Sequence, residues 1–254
     1  GGKIKRFVVT GASKRGWTTW LAAATGDPRI VGIAPVVYDN LHLRRQMPHQ
    51  LASWGKYSEM IQDYTDRGLQ TAMSTERGQR LTDMVDPYSY LSAIDDPVLI
   101  VNGSNDPYWT SDSLSVYWHS IRSRKSALVL PNEGHTFRDE RRAYRSTLAA
   151  FARSLASGAP WPSISTKWEE DKVQVSSSTP GPEKATLWVA ESRTLDFRES
   201  NWTAVASAPV SKGLVEFPVS PSQQNRAILV EVEFARDRDH FFLSTPVKVV
   251  RRSP

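Results

Sequence analysis

The chain has 254 residues, 39% hydrophobic and 23% charged, which is enough apolar material to bury a core and too much for a disordered tail. It contains no cysteine, and this excludes disulfides, thiolate metal sites and a cysteine nucleophile. The formal charge is +5, with the excess in residues 1–161, where 20 Lys and Arg face 15 Asp and Glu in a scattered pattern that gives no support for nucleic-acid binding.

Phe7-Val8-Val9 reads as a buried strand that ends at Gly11 and leads into a helix over Trp17–Ala24. Ile30–Val37 is a second apolar strand and the longest mostly apolar run, far short of the roughly 18 residues a membrane span needs. Val98–Val101 is a third strand and Ala127–Leu130 a fourth, with a helix expected from about Asp139 to Leu155. Apolar strands alternating with helices predict a parallel α/β sheet covered on both faces. The stretch 38–96 is longer than an ordinary connection, and Trp54, Tyr57, Met60, Ile61 and Tyr64 recur in it at helical spacing. It is expected to form a helical lid over one end of the sheet.

The pattern breaks at Ser157-Gly158-Ala159-Pro160-Trp161-Pro162. Beyond it, Lys172–Ser176, Ala185–Ala190, Leu214–Val219, Ala227–Phe234 and Phe241–Val250 alternate, with turns at Pro180-Gly181-Pro182 and Lys212-Gly213. Such strands predict a small antiparallel sandwich of immunoglobulin or fibronectin type III kind. The expected domains are therefore 1–160, an α/β domain with its lid at about 38–96, and 161–254, the sandwich.

Chemistry gathers at three strand ends. In Val9-Thr10-Gly11-Ala12-Ser13-Lys14-Arg15-Gly16-Trp17 a serine stands at a sharp strand-to-helix turn flanked by glycines, where its hydroxyl projects above the sheet. The Lys14 N–H at the helix start is then a candidate oxyanion donor. Thr-Gly-Ala-Ser also opens the cofactor loop of short-chain dehydrogenases, but Arg15 and Trp17 stand where two later glycines are needed. A Walker A loop fails as well, because Gly16 is followed by Trp17. Asp106 follows the third strand in Asn102-Gly103-Ser104-Asn105-Asp106, and His135 follows the fourth in Asn132-Glu133-Gly134-His135. Taken singly, each is an ordinary turn or surface residue. In the order Ser13, Asp106, His135, each beyond a parallel strand, they match the arrangement of α/β-hydrolases.

Asp112 is a rival for the acid, farther from its strand end. Arg44 and Arg45 are either a solvated basic pair or a grip for an anionic substrate group, and Trp54 and Trp109 are candidate pocket walls or core residues. Asp39, His42 and His49 stand near the expected mouth, with no spacing that assigns a metal site. No cofactor and no metal is expected.

Several strings carry a family resemblance: Val9–Trp20, Tyr38-Asp39-Asn40-Leu41, Arg44-Arg45-Gln46-Met47, Trp54-Gly55-Lys56-Tyr57-Ser58, Asn102–Asp106, Gly134-His135 and Phe242-Leu243-Ser244-Thr245-Pro246. Together they resemble the PhoPQ-activated pathogenicity-related proteins over nearly the whole chain. The resemblance implies a partial α/β-hydrolase sheet followed by a β-sandwich, and a periplasmic or extracellular location. It implies no particular substrate. The elbow departs from common hydrolases, with Arg15 at the usual second glycine and Gly16 one place later, a spacing similar to that of glucuronoyl esterases. An elbow so close to the first residue also leads to the expectation that this is the C-terminal portion of a longer protein, whose earlier strands would pair with the Arg6–Thr10 edge.

The residues thus predict a serine hydrolase of esterase or peptidase type, acting on a small-molecule, peptide or glycan ester or amide. A carbohydrate esterase is one alternative, and a non-catalytic binding or scaffold protein of the cell envelope is the other.

Overall fold

The computed structural model describes residues 4–138, 143–178, 181–236 and 239–252. Four parallel strands open the fold: β1 (Phe7–Ala12), β2 (Ile30–Val36), β3 (Val98–Gly103) and β4 (Lys125–Leu130), adjacent in chain order. Helix α1 (Lys14–Ala23) joins the first two. The lid lies between β2 and β3 and comprises α2 (Leu43–Trp54), α3 (Gln62–Thr65), α4 (Leu69–Ala72), α5 (Glu76–Val85) and two 3-10 turns, Glu59–Ile61 and Pro87–Ala93. Gly55, at φ 72°, ends α2 by turning its N–H back to Leu51 O, so the helical spacing from Trp54 to Tyr64 spans separate short helices. Helix α6 (Ser113–Tyr117) lies between β3 and β4, and α7 (Ala143–Ser157) follows; the expected beginning of that helix, 139–142, lies outside the described residues.

Period-two alternation sorts the strand side chains onto two faces. Ile33, Val98 and Ile100 pack with Trp20 of α1, Leu114 and Tyr117 of α6, and Leu91 and Ile94 of the lid's end. Leu99, Val101, Leu128 and Leu130 face the other way, against Ala150 and Phe151 of α7. Both faces are covered, as near-continuous apolar strands require.

Strands β5 (Ile164–Trp168), β6 (Lys172–Ser177) and β9 (Leu214–Pro218) form a three-stranded antiparallel sheet. Strands β7 (Pro182–Ser192), β8 (Thr203–Pro209), β10 (Asn225–Arg236), β11 (Asp239–Ser244) and β12 (Lys248–Val250) belong elsewhere: β11 pairs with β4 at Ser244 opposite Ala127. One sheet therefore runs β1-β2-β3-β4-β11-β10-β7-β8 across the position where the sequence changes character, with β12 also on β10. β11 covers part of the edge that β4 would otherwise expose, and the Val129 N–H there donates to Ser244 Oγ at 2.8 Å. Val173, Val175, Val215 and Phe217 of the small sheet pack on Ala185, Leu187, Ile228 and Val230, forming a second layer over β7 and β10. The segment expected as one strand, Phe241–Val250, divides at Thr245-Pro246 into β11 and β12, and β5 and β8 were not predicted. At the opposite end β1 pairs with β2 and forms the sheet edge, with Phe7 40% exposed.

Candidate active site

In-register pairing brings the ends of the four parallel strands to one rim: Ala12 lies opposite Val36, Val36 opposite Val101, and Gly103 opposite Leu130. Ser13, Asp39, Asp106 and His135 each follow one of these ends. Open α/β sheets bind ligands at this rim, where strands stop and loops begin.

Ser13 has φ 57° and ψ −124°, a conformation that costs a non-glycine residue about 1–3 kcal/mol. Its N–H donates to Val36 O at 2.9 Å, and its own carbonyl accepts from the Gly16 and Trp17 N–H groups. The turn closes only because two neighbours lack side chains. A Cβ on Gly11 would sit 2.7 Å from the Arg15 Cβ, and one on Gly16 would sit 2.7 Å from the Tyr38 Cβ. Lys14 is the first residue of α1, so its N–H belongs to the turn that has no intrahelical acceptor.

Asp106 and His135 come together through backbone contact between their loops. Asn105 N–H donates to Glu133 O, Asn132 N–H donates to the Ser104 hydroxyl oxygen, and Gly103 has no Cβ to keep Glu133 and Gly134 away. The result is a 2.8 Å bond in which His135 Nδ1 donates to Asp106 Oδ2, while Asp106 Oδ1 accepts the Tyr108 N–H. His135 Nε2 is buried and has no hydrogen-bond partner among the described residues, so Asp106 and His135 are brought together but no hydrogen bond joins His135 to Ser13. The Tyr108 ring lies against the imidazole, with centroids 4.1 Å apart. Tyr108 and Ser13 both line a cavity of about 570 Å³ between the rim and the lid, together with Trp17, Tyr38 and Trp109.

Asp112 has a different partner: its Oδ1 lies 2.8 Å from His49 Nε2, and this bond raises the His49 pKa above its ordinary value. Asp39 is fully buried. Burial pushes its carboxyl up to about 7, opposed by the bond it accepts from the Tyr117 hydroxyl and reinforced by the nearby charges of Asp106 and Asp112. His42 stacks on Tyr88, with centroids 4.0 Å apart. Arg44 pairs with Asp83 on the surface, Arg45 is exposed, and Trp54 lies under the Arg198 guanidinium at 4.0 Å; none of the three lines the cavity that Ser13 lines.

Two sets of supporting contacts went unrecognised in the sequence, although His49 is among the residues expected near the mouth. Gln46, His49 and Gln50 form one face of α2 and hold the loop after Asp106: Gln46 Nε2 donates to Ser113 O, and Gln50 Nε2 donates to Tyr108 O. Their i, i+3, i+4 spacing was the available signal. The segment 197–202, from the C-terminal strands, braces the same loops from the other side. Asn105 Nδ2 donates to Arg198 O and Ser200 O, and Asn132 bonds both backbone groups of Trp202. Nothing local in the sequence signals this second set.

The sequence model of the PhoPQ-activated pathogenicity-related protein family matches residues 1–198. The chain belongs to this family. Autocrine proliferation repressor protein A of Dictyostelium discoideum is 30% identical over 208 residues, which is 80% of this family member and 40% of that relative. The chain thus spans less than half the length of the curated relative it matches. Among solved structures, acetyl xylan esterase 1 from Thermoanaerobacterium sp. gives a TM-score of 0.42 at 19% identity, over 63% of this chain and 47% of that one. Acylaminoacyl peptidase of Pyrococcus horikoshii gives a TM-score of 0.42 at 12% identity, over 60% of this chain and 24% of that one. No helix of this family member, among the described residues, is long and apolar enough to cross a membrane.

Proposed function

We propose that the protein is a serine hydrolase of esterase or peptidase type, with Ser13 as nucleophile, His135 as general base and Asp106 as the group that orients the imidazole. The observation that carries this reading is the His135 ring, tied through Nδ1 to Asp106 and stacked on Tyr108, which lines the same cavity as the strained Ser13. An imidazole fixed in this way has one tautomer, with the lone pair on Nε2, as proton abstraction from a hydroxyl requires.

In this mechanism Ser13 Oγ attacks the substrate carbonyl carbon as His135 Nε2 takes the hydroxyl proton. The tetrahedral oxyanion is stabilised by the Lys14 N–H at the start of α1. Collapse breaks the bond to the leaving oxygen or nitrogen, which receives the proton from Nε2. Water then attacks the acyl-serine by the same route, giving back the free hydroxyl and releasing a carboxylic acid. We also propose that the protein acts outside the cytoplasm.

A fluorophosphonate probe on the full-length protein tests the reading. Labelling that Ser13→Ala abolishes and His135→Ala reduces by about a thousandfold or more is expected. A folded protein that takes no label would instead be a scaffold that keeps the fold without turnover.

A further inference from the structure

The cavity beside Ser13 has a polar end at the rim and a largely apolar end under the lid. Beyond the residues at the elbow, it is enclosed by Leu43, Met47, Ile61, Leu69, Met73 and Val85 of the lid. Within the lid wall Gln70 Nε2 donates to Thr65 Oγ1 and the Thr82 hydroxyl donates to Gly78 O, whereas at the rim the Tyr38 hydroxyl, Asn40 Oδ1 and Trp109 Nε1 are buried with no hydrogen-bond partner among the described residues. The unpartnered polar atoms therefore sit at the rim end, beside the elbow, while the lid end offers mainly apolar contact, where polar groups of an occupant would stay unpaired. Two further wall residues, Met60 and Leu81, are 49% and 53% exposed, so the apolar surface continues outward to the mouth.

Methionine use points to the shape of the occupant. Three of the chain's four methionines, Met47, Met60 and Met73, line this cavity, and the fourth, Met84, is exposed on α5. Unbranched thioether chains adapt to a flexible ligand rather than gripping a rigid one. A space of about 570 Å³ lies within the range that encloses most of a small organic molecule.

We infer that the group delivered to Ser13 is a flexible aliphatic acyl chain of medium length, seated between α2, α4 and α5 with its carbonyl at the elbow. This rests on the serine hydrolase reading and adds the substrate class. Each methylene that passes from water into such a wall strengthens binding by about fourfold, so the preference for long over short chains is steep.

The test uses the full-length protein and two independent readouts. In the first, kcat/KM is measured for p-nitrophenyl acetate, butyrate, octanoate and decanoate. A rise of about a thousandfold or more from acetate to octanoate, six methylenes apart, is expected, and Met73→Trp, which fills the cavity, and Leu81→Glu, which charges its exposed mouth, should each collapse that ratio. In the second, decanoate and butyrate compete for anilinonaphthalene sulfonate bound to the Ser13→Ala variant; displacement by decanoate alone is expected. Displacement without any hydrolysis by the unmutated protein would uphold the acyl cavity and sink the hydrolase reading. Hydrolysis of acetate with no gain on lengthening, and no displacement, would overturn the acyl cavity and leave the hydrolase standing. Didecanoyl phosphatidylcholine dispersions, set against the monomeric decanoate ester, distinguish a lipid from a soluble ester as the source of the chain.

Discussion

Asn132 and Trp202 hold each other by two hydrogen bonds: the Asn132 amide donates to Trp202 O, and its carbonyl accepts the Trp202 N–H, each at 2.8 Å. Seventy positions separate them along the chain. Asn132 stands three residues before His135, so the loop carrying the imidazole is anchored to the segment between β7 and β8.

That anchor makes Asn132 a positioning residue with a kinetic signature. Asn132→Ala is expected to lower kcat by about tenfold or more with a small change in KM, since small displacements of reacting groups are costly. Fluorophosphonate labelling should slow in parallel. A variant with an unchanged labelling rate and kcat would make the contact a matter of stability alone.

The elbow stores strain, and its release is measurable. Ser13→Gly removes the penalty of the φ 57° conformation and is expected to raise stability by about 1 kcal/mol while abolishing labelling. Ser13→Ala keeps the strain and should lose labelling without that gain. Gly16→Ala drives a Cβ against Tyr38 and should destabilise by about 1–3 kcal/mol. Urea midpoints of the three variants decide, and equal stability for the Ser13→Gly and Ser13→Ala variants would remove the strain argument.

Asp39 links stability to pH. Its carboxyl gives up a proton near the ordinary value of 3.8 in the unfolded chain and at about 7 in the folded protein, because burial disfavours the charge. Between those values the native state binds more protons, so stability falls as pH rises from 3.8 to about 7 and then levels off. The full difference is on the order of 4 kcal/mol. Asp39→Asn cannot ionise, and the drop between acid and neutral pH should shrink by about that amount in chemical unfolding. An Asp39→Asn curve parallel to that of the unmutated protein would refute this.

His49 behaves in the opposite sense. Its bond to Asp112 raises the folded pKa above 6.5, so the contribution is complete below 6.5 and is lost as pH rises through the folded value. The tie between α2 and the loop after Asp106 should loosen on the alkaline side. Hydrogen exchange at residues 107–113 is expected to quicken there, and His49→Gln should make that exchange insensitive to the same change in pH.

Residue patterns alone were sufficient for the parallel strands, the helices beside them and the order in which Ser13, Asp106 and His135 leave the sheet. Those features are local: a run of apolar residues sets a buried strand, a glycine sets a tight turn, and chain order sets which loop follows which strand. Asp106 could not be separated from Asp112 in this way, because both follow β3 and the distinction depends on which histidine each one meets. Packing in three dimensions makes that assignment, giving His135 to Asp106 and His49 to Asp112. It also makes β11 the continuation of the sheet from β4, and sets segment 197–202 as a brace on the loops of Asp106 and His135. Alternating strands carry no mark of their partner across a hundred residues, since pairing depends on which edge lies open once the rest of the chain has packed.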